Sequence, residues 1–283
     1  MREALFVVEG DDPGAVMLVA AFRRHGWRTR VLDLRFQRPT LDGSGHRPVV
    51  WIDGAPTEPD VVVNRTATSR LGLAPGSALA RQLPVTWWAR HLAAREEQGL
   101  LLACFDVWEQ AGRLYNPVRT LDRRLLRSAT EMELHALALP IGRAGKAGPG
   151  AGDGRRGVCW VVDGVVVASA TLPAAGRWTP TPLSGPTADA VRQVAEHTGL
   201  RLGQLDLWQT RNAPTLVTDW KPIPWFRAFW EQTGTDVAAL VVAAIVGEAP
   251  APPPAFLADD LEPNLLATQR RTTPPAATPL APG

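Results

Sequence analysis

Two aspartates and a lysine are the residues best placed to do chemistry. Asp206 sits in RLGQLDLWQT and Asp219 in APTLVTDW, two strand-like runs joined by the turn TRNAP, and Lys221 follows Asp219 by two positions. Two carboxylates on adjacent antiparallel strands can share one hard cation through oxygen ligands, the usual arrangement for a Mg²⁺ that also touches nucleotide phosphates. Lys221 works against that use, because an ammonium offers three donors and no lone pair to a metal. At about 4 Å and an effective dielectric near ~20, one ammonium beside a carboxylate gains on the order of 4 kcal/mol before desolvation. Lys221 is therefore expected to pair with Asp206 or Asp219 and to stand in for the ion.

Other candidates carry less. Eleven tryptophans are present; core filling accounts for most, but Trp220, Trp225 and Trp230 flank the carboxylates in sequence and could wall a site for a peptide or an aromatic ligand. Arg123, Arg124 and Arg127 share one helical face, read as a solvated stripe paired with Glu131, with phosphate contact as the sharper alternative. Lys146 lies in a glycine-rich stretch that fails the phosphate-loop pattern: Pro140 stands where the first glycine belongs and Ala147 replaces Ser/Thr. The five histidines never pair at helical metal spacing, and Cys104 and Cys159 read as buried apolar thiols.

Composition narrows the classes further. The chain has 283 residues with 45% apolar content, enough to bury a sizeable core, so a disordered or fibrous chain is excluded. Its net charge of +2 gives no electrostatic reason to expect nucleic acid or an anionic membrane as partner. Only Lys146 and Lys221 are lysines and the other 28 basic residues are arginines, a shortage for any chemistry that places ammonium groups on phosphates. The opening MREALFVVEGDD is unlike a signal peptide, and the apolar run Val237 to Val246 is too short to span a bilayer; a cytoplasmic location is the expectation. Nothing in the sequence fixes an oligomeric state.

The elements that must position these residues read as α/β. Residues 3–8, the loop GDDPG, a periodic segment to Arg24 and RTRVLDL give strand, helix, strand, with Pro13 in a first turn, Asp11 and Asp12 as capping residues and Gly26 at the helix end. Two β-branched runs surround Asp53-Gly54, as a hairpin or two neighbouring strands, and two valine-rich runs surround Asp163-Gly164, the strongest hairpin signal. The expected organisation is a small α/β unit over 1–85, a helical connection over 86–141, a flexible glycine-rich loop over 142–157, a sheet with helices over 158–247 and a disordered proline-rich tail over 248–283.

In this order the residues resemble the ATP-grasp superfamily, especially the RimK-type carboxylate-amine ligases and the ligases that crosslink graspetide precursor peptides. The family pattern is an Asp on one strand, then Glu-x-Asn-Pro-x-Pro-Gly, then a helix and a "gxdiA" segment. Here it reads Asp206, then Asp219-Trp220-Lys221-Pro222-Ile223-Pro224-Trp225, then Gly234-Thr235-Asp236-Val237-Ala238. RLYNPVRTLDRRLL resembles the family's "vlNp...a..dK" segment, with Asn116 and Pro117 matching and Arg123 near its lysine; GVCWVVDGVVVASA resembles its "dvRvfVvgdkvvAa" strand pair. PDVVVNR, from Pro59 to Arg65, looks like part of a pre-ATP-grasp domain. The resemblance implies a small pre-ATP-grasp-like α/β domain followed by an ATP-grasp-like α+β domain.

Three departures bear on activity. The family's lysine-bearing, nucleotide-covering subdomain has only Pro140 to Arg156 to occupy its interval, and that stretch has too little apolar surface to offset the entropy of ordering. The lysines are missing, with Arg123 in one place. At the metal position the family's Glu becomes Asp219 and its Asn becomes Lys221. The expectation is a divergent, ATP-incompetent relative that takes no cofactor and serves as a peptide-binding or accessory protein, with an active ligase as a possible partner. The alternative is an active ligase using ATP, and Mg²⁺ held by Asp206 and Asp219, to join a carboxylate to an amine.

Overall fold

The computed structural model describes residues 1–66, 87–117, 127–137, 154–172, 176–210 and 213–249, together with Thr120, Leu139 and Ile141. Arg123, Arg124, Lys146 and the proline-rich segment lie outside the described residues.

Strand β1 (Glu3–Val8) leads through helix α1 (Pro13–Arg24) to β2 (Arg28–Asp33). Asp12 caps the helix, accepting from the backbone N–H of Gly14 at 2.9 Å and of Ala15 at 3.1 Å, with Pro13 in the first turn, where its missing N–H costs nothing. Asp11 does not cap; its carboxylate reaches Arg35 at 3.2 Å. Strands β3 (Pro39–Asp42), β4 (Val49–Ile52) and β5 (Ala55–Pro56) form a separate antiparallel sheet, whose β4–β5 turn places Asp53 and Gly54 at positive φ, as a tight hairpin requires. Strand β6 (Val61–Asn64) leaves that sheet and runs parallel to β1. The two β-branched runs around Asp53-Gly54 thus belong to different sheets. All four residues of β6 are buried, as expected of a parallel strand covered on both faces.

Helix α2 (Trp87–Gln110) is followed by β7 (Leu114–Tyr115), which pairs parallel to β6 and completes the order β2-β1-β6-β7. Helix α3 (Arg127–Ala136) precedes the second sheet. That sheet is antiparallel throughout: β8 (Arg155–Val162), β9 (Val165–Leu172), β10 (Thr179–Pro180), β11 (Leu202–Thr210) and β12 (Ala213–Lys221), in the order β10-β9-β8-β11-β12. Asp163-Gly164 makes the β8–β9 hairpin with both residues at positive φ. Helix α4 (Gly185–Thr198) connects β10 to β11, and α5 (Arg227–Thr233) and α6 (Val237–Val246) close the described chain.

Strand alternation sorts the core into layers. Val158, Trp160 and Val162 of β8 pack in one cluster with α1, Phe226, Phe229 and the buried face of α6; Cys159 and Val161 face the other way, toward Val191, Val194 and Ala195 of α4. The first cluster also takes Ala4, Phe6 and Val8 of β1, so the parallel and antiparallel sheets share one core. Both cysteines are fully buried, matching their reading as apolar thiols. Among the described residues no single helix is long and apolar enough to cross a membrane.

Candidate functional site

Among the described residues, the face of the antiparallel sheet that carries Val158 and Trp160 packs against α1, α5 and α6. Farther along the same strands it opens into a cavity of about 520 Å³ lined by Arg156, Trp178, Gln204, Asp206, Trp208 and, from β12, Thr218, Asp219 and Lys221. Gln204, Asp206 and Trp208 alternate along β11 and therefore share this face. The β11–β12 register slips by one residue after the Asp206–Asp219 pair, so that Leu207 faces Val217, and this irregularity brings Thr218 to the cavity beside Asp219.

Asp206 and Asp219 are direct cross-strand partners, and Lys221 pairs with Gln204 two residue pairs along, on the same face. Lys221 Nζ reaches diagonally to Asp206 Oδ2 at 2.6 Å, and Gln204 Nε2 donates to Asp206 Oδ1 at 2.8 Å. Both oxygens of Asp206 are thus engaged, one by a full positive charge. Asp219 Oδ1 accepts the Trp220 N–H at 2.9 Å. The Lys221 and Asp206 side chains keep 31% and 23% of their exposure, so the pair is partly screened and contributes less than its short distance suggests.

The tryptophans are arranged differently from the sequence expectation. Trp220 is 1% exposed and packs on the opposite face with Val191, Leu205 and Val217, so it does not belong to a ligand wall. The pleat dictates this: with Asp219 and Lys221 on one face, the residue between them points to the other. Trp225 is 71% exposed, and its N–H contacts Gln204 Oε1 at 3.4 Å; Trp230 is half-buried against the shared core. Neither lines the cavity. Trp178 and Trp208 do. Period-two alternation from Gln204 through Asp206 carried the signal for Trp208, whereas Trp178 follows β9 and is placed by packing near Phe229, 6.4 Å between ring centres.

No protein-family model matches the sequence, and no curated protein matches it. Solved structures do. The ATP-grasp ligase PsnB, determined with a phosphomimetic variant of its minimal precursor, Mg and ADP, superposes with a TM-score of 0.68 over 87% of this chain and 98% of its own, at 19% identity. The fold is that of the ATP-grasp ligases. A Chryseobacterium gregarium RiPP-associated ATP-grasp ligase, in complex with ADP and a leader and core peptide, aligns over 91% of this chain and all of its own, with a TM-score of 0.64 at 8% identity. The macrocyclase MdnC from Microcystis aeruginosa MRC, bound to precursor peptide MdnA, gives 0.60 over 87% of this chain and 100% of its own at 13% identity.

An ATP-grasp fold implies Mg²⁺ and a nucleotide, and the donor set here does not fit the ion. A hard dication needs several oxygen ligands at about 2.1 Å. Asp206 instead holds an ammonium on one oxygen and a carboxamide on the other. Among the described residues no three His, Cys, Asp or Glu side chains gather where they could hold a metal.

Proposed function

We propose that this chain is an ATP-grasp-like protein that has given up nucleotide chemistry and binds a peptide in the cavity between β8, β11 and β12. The observation that carries the reading is the Lys221–Asp206 ion pair, which places a covalently held cation beside the carboxylates that would otherwise meet Mg²⁺. Trp178 and Trp208 offer flat apolar surface, and Arg156, Lys221, Asp206 and Asp219 supply both signs of charge, a lining suited to an amphipathic peptide segment rather than to a polyphosphate. PsnB, MdnC and the Chryseobacterium enzyme were each solved with a precursor or leader and core peptide, which supports a peptide as the ligand class. An accessory role beside an active ligase follows from the same reading.

One observation favours a second reading: Asp206 and Asp219 do face each other across the strand pair on a single cavity. An active ligase using ATP and Mg²⁺ would need Lys221 to swing off Asp206.

Selection of displayed peptides on the immobilised full chain, followed by calorimetry of the enriched peptide, tests the first reading. Trp208→Ala and Trp178→Ala should each weaken binding by about tenfold, the order expected for an aromatic anchor. Failure to enrich any peptide, or equal binding by both variants and the native chain, would remove the peptide assignment.

A further inference from the structure

The motif residue Asn116 takes no part in the cavity, yet it touches the strand ends that define it. Its backbone is left-handed, φ 62°, which asparagine tolerates better than most residues, and its side chain is fully buried. The carboxamide Oδ1 accepts the Leu202 N–H at 3.2 Å, and Nδ2 donates to the Pro222 carbonyl. Leu202 opens β11 and Pro222 immediately follows β12. The β11–β12 register ends at Gln204 opposite Lys221; because the Arg201 carbonyl is taken by the Asp163 N–H on the β8 side, Leu202 presents its N–H to the β12 side, two positions beyond the last paired residue. The Asn116 amide, one acceptor and one donor in a plane, does there what a further peptide rung would do.

Neighbouring groups fix the same segment. Asn64 Nδ2 donates to the Asn116 carbonyl at 3.1 Å, and Asn64 Oδ1 is held by the Thr66 hydroxyl at 2.7 Å. Arg65, clamped by Asp12 at 2.5 Å and 2.9 Å, donates to the Pro224 carbonyl at 3.4 Å. Gln204, the residue that also holds Asp206, accepts the Trp225 N–H. The segment from Lys221 to Trp225 is therefore gripped at Pro222 by Asn116 of the turn after β7, at Pro224 by Arg65 of the loop after β6 and at Trp225 by Gln204 of β11, with Asn64 of β6 holding Asn116 itself.

We infer that Asn116 is a positioning residue for the candidate site: its side-chain amide closes the β11–β12 ladder and sets the end of β12 so that Lys221 meets Asp206. This rests on reading that pair as the site's cation. It also explains why a polar side chain is kept fully buried where the two sheets join, since removal of either amide atom would orphan a buried backbone group.

The test exploits the shortage of lysines. With Lys221 and Lys146 the only lysines, acylation by an N-hydroxysuccinimide ester can be followed at each by mass spectrometry, with Lys146 as internal reference. Asn116→Gly removes the amide and keeps a residue at ease with positive φ. It should raise the Lys221-to-Lys146 labelling ratio on the order of tenfold, what release of one charge-assisted hydrogen bond permits. Val241→Ala, a core truncation in α6 away from the cavity, is the control for general loosening and should leave the ratio within about twofold. An unchanged ratio in a folded Asn116→Gly chain, or the same rise in Val241→Ala, overturns the inference.

Should Asn116→Gly fail to fold, hydrogen exchange in the native chain decides. Protection of the Leu202 N–H and the Asn116 carboxamide matching that of the β11 ladder supports the rung, and exchange at the open-chain rate overturns it. No ligand enters either measurement, so a failure here is separable from a failure of the peptide-binding reading.

Discussion

Lys221 Nζ lies 2.6 Å from Asp206 Oδ2, reaching diagonally across the β11–β12 pair, while Asp219 sits directly opposite Asp206. One cation thus comes from the chain itself, at the place where two facing carboxylates would otherwise attract one from solution. Replacing that cation by a neutral ligand should reverse the preference. Lys221→Asn supplies a carbonyl oxygen beside both carboxylates, and Mn²⁺ affinity read by the loss of free-ion EPR signal should rise at least about tenfold over the native chain. Equal Mn²⁺ binding by both proteins would show that Lys221 does not guard the site.

Trp220 and Trp225 are five residues apart and differ completely in surroundings, 1% against 71% exposed. Trp220→Ala should cost about 3–5 kcal/mol in urea unfolding, the usual loss for truncating a buried aromatic residue. Trp225→Ala should stay within about 0.5 kcal/mol. Comparable losses for the two would mean that the strand faces are assigned wrongly.

Asp12 both caps α1 and neutralises Arg65, whose side chain is only 3% exposed. Asp12→Ala leaves a buried charge without its partner and should destabilise by about 3–5 kcal/mol. Asp11→Ala, one position earlier on an exposed contact to Arg35, should change stability by no more than about 0.5 kcal/mol. Chemical denaturation of the two variants side by side checks both values.

Burial pushes the Cys104 thiol up to about 11, and pushes Cys159 higher still, with the nearby Asp206 carboxylate adding to the shift while a hydrogen bond at Leu205 opposes it. Both thiols should resist iodoacetamide in the folded chain and react on unfolding. Because the folded state holds these protons more tightly, the stabilisation is intact while the unfolded thiol is also protonated. It falls as pH rises above the unfolded thiol's ordinary value of about 8.5. Rapid labelling of the folded chain would contradict their placement.

Much of this fold was readable because local rules and tertiary structure agree. Asp163-Gly164 gave the strongest hairpin signal and makes a hairpin, and Asp12-Pro13 starts a helix as its chemistry requires; Asp53-Gly54, read as a hairpin or two neighbouring strands, turns the chain only into the two-residue β5. What escaped depends on distant partners. The run Val61–Asn64 looks like a hairpin partner for Val49–Ile52, but its uniformly apolar character suits the two-sided burial beside β1. Grouping Trp220 with Trp225 and Trp230 by sequence distance neglected the pleat, which was visible in the sequence; Trp178 gave no such sign. Asn116 was legible as a motif residue and not as a rung, because the carbonyl it holds lies 106 residues away.

Calorimetric titration of the full chain with ATP in the presence of Mg²⁺, run beside an assay for ADP release with the selected peptide, tests the central claim most directly. The Lys221–Asp206 pair predicts no saturable heat and no ADP above the protein-free rate. Stoichiometric, Mg²⁺-dependent ATP binding with peptide-stimulated ADP release would contradict it.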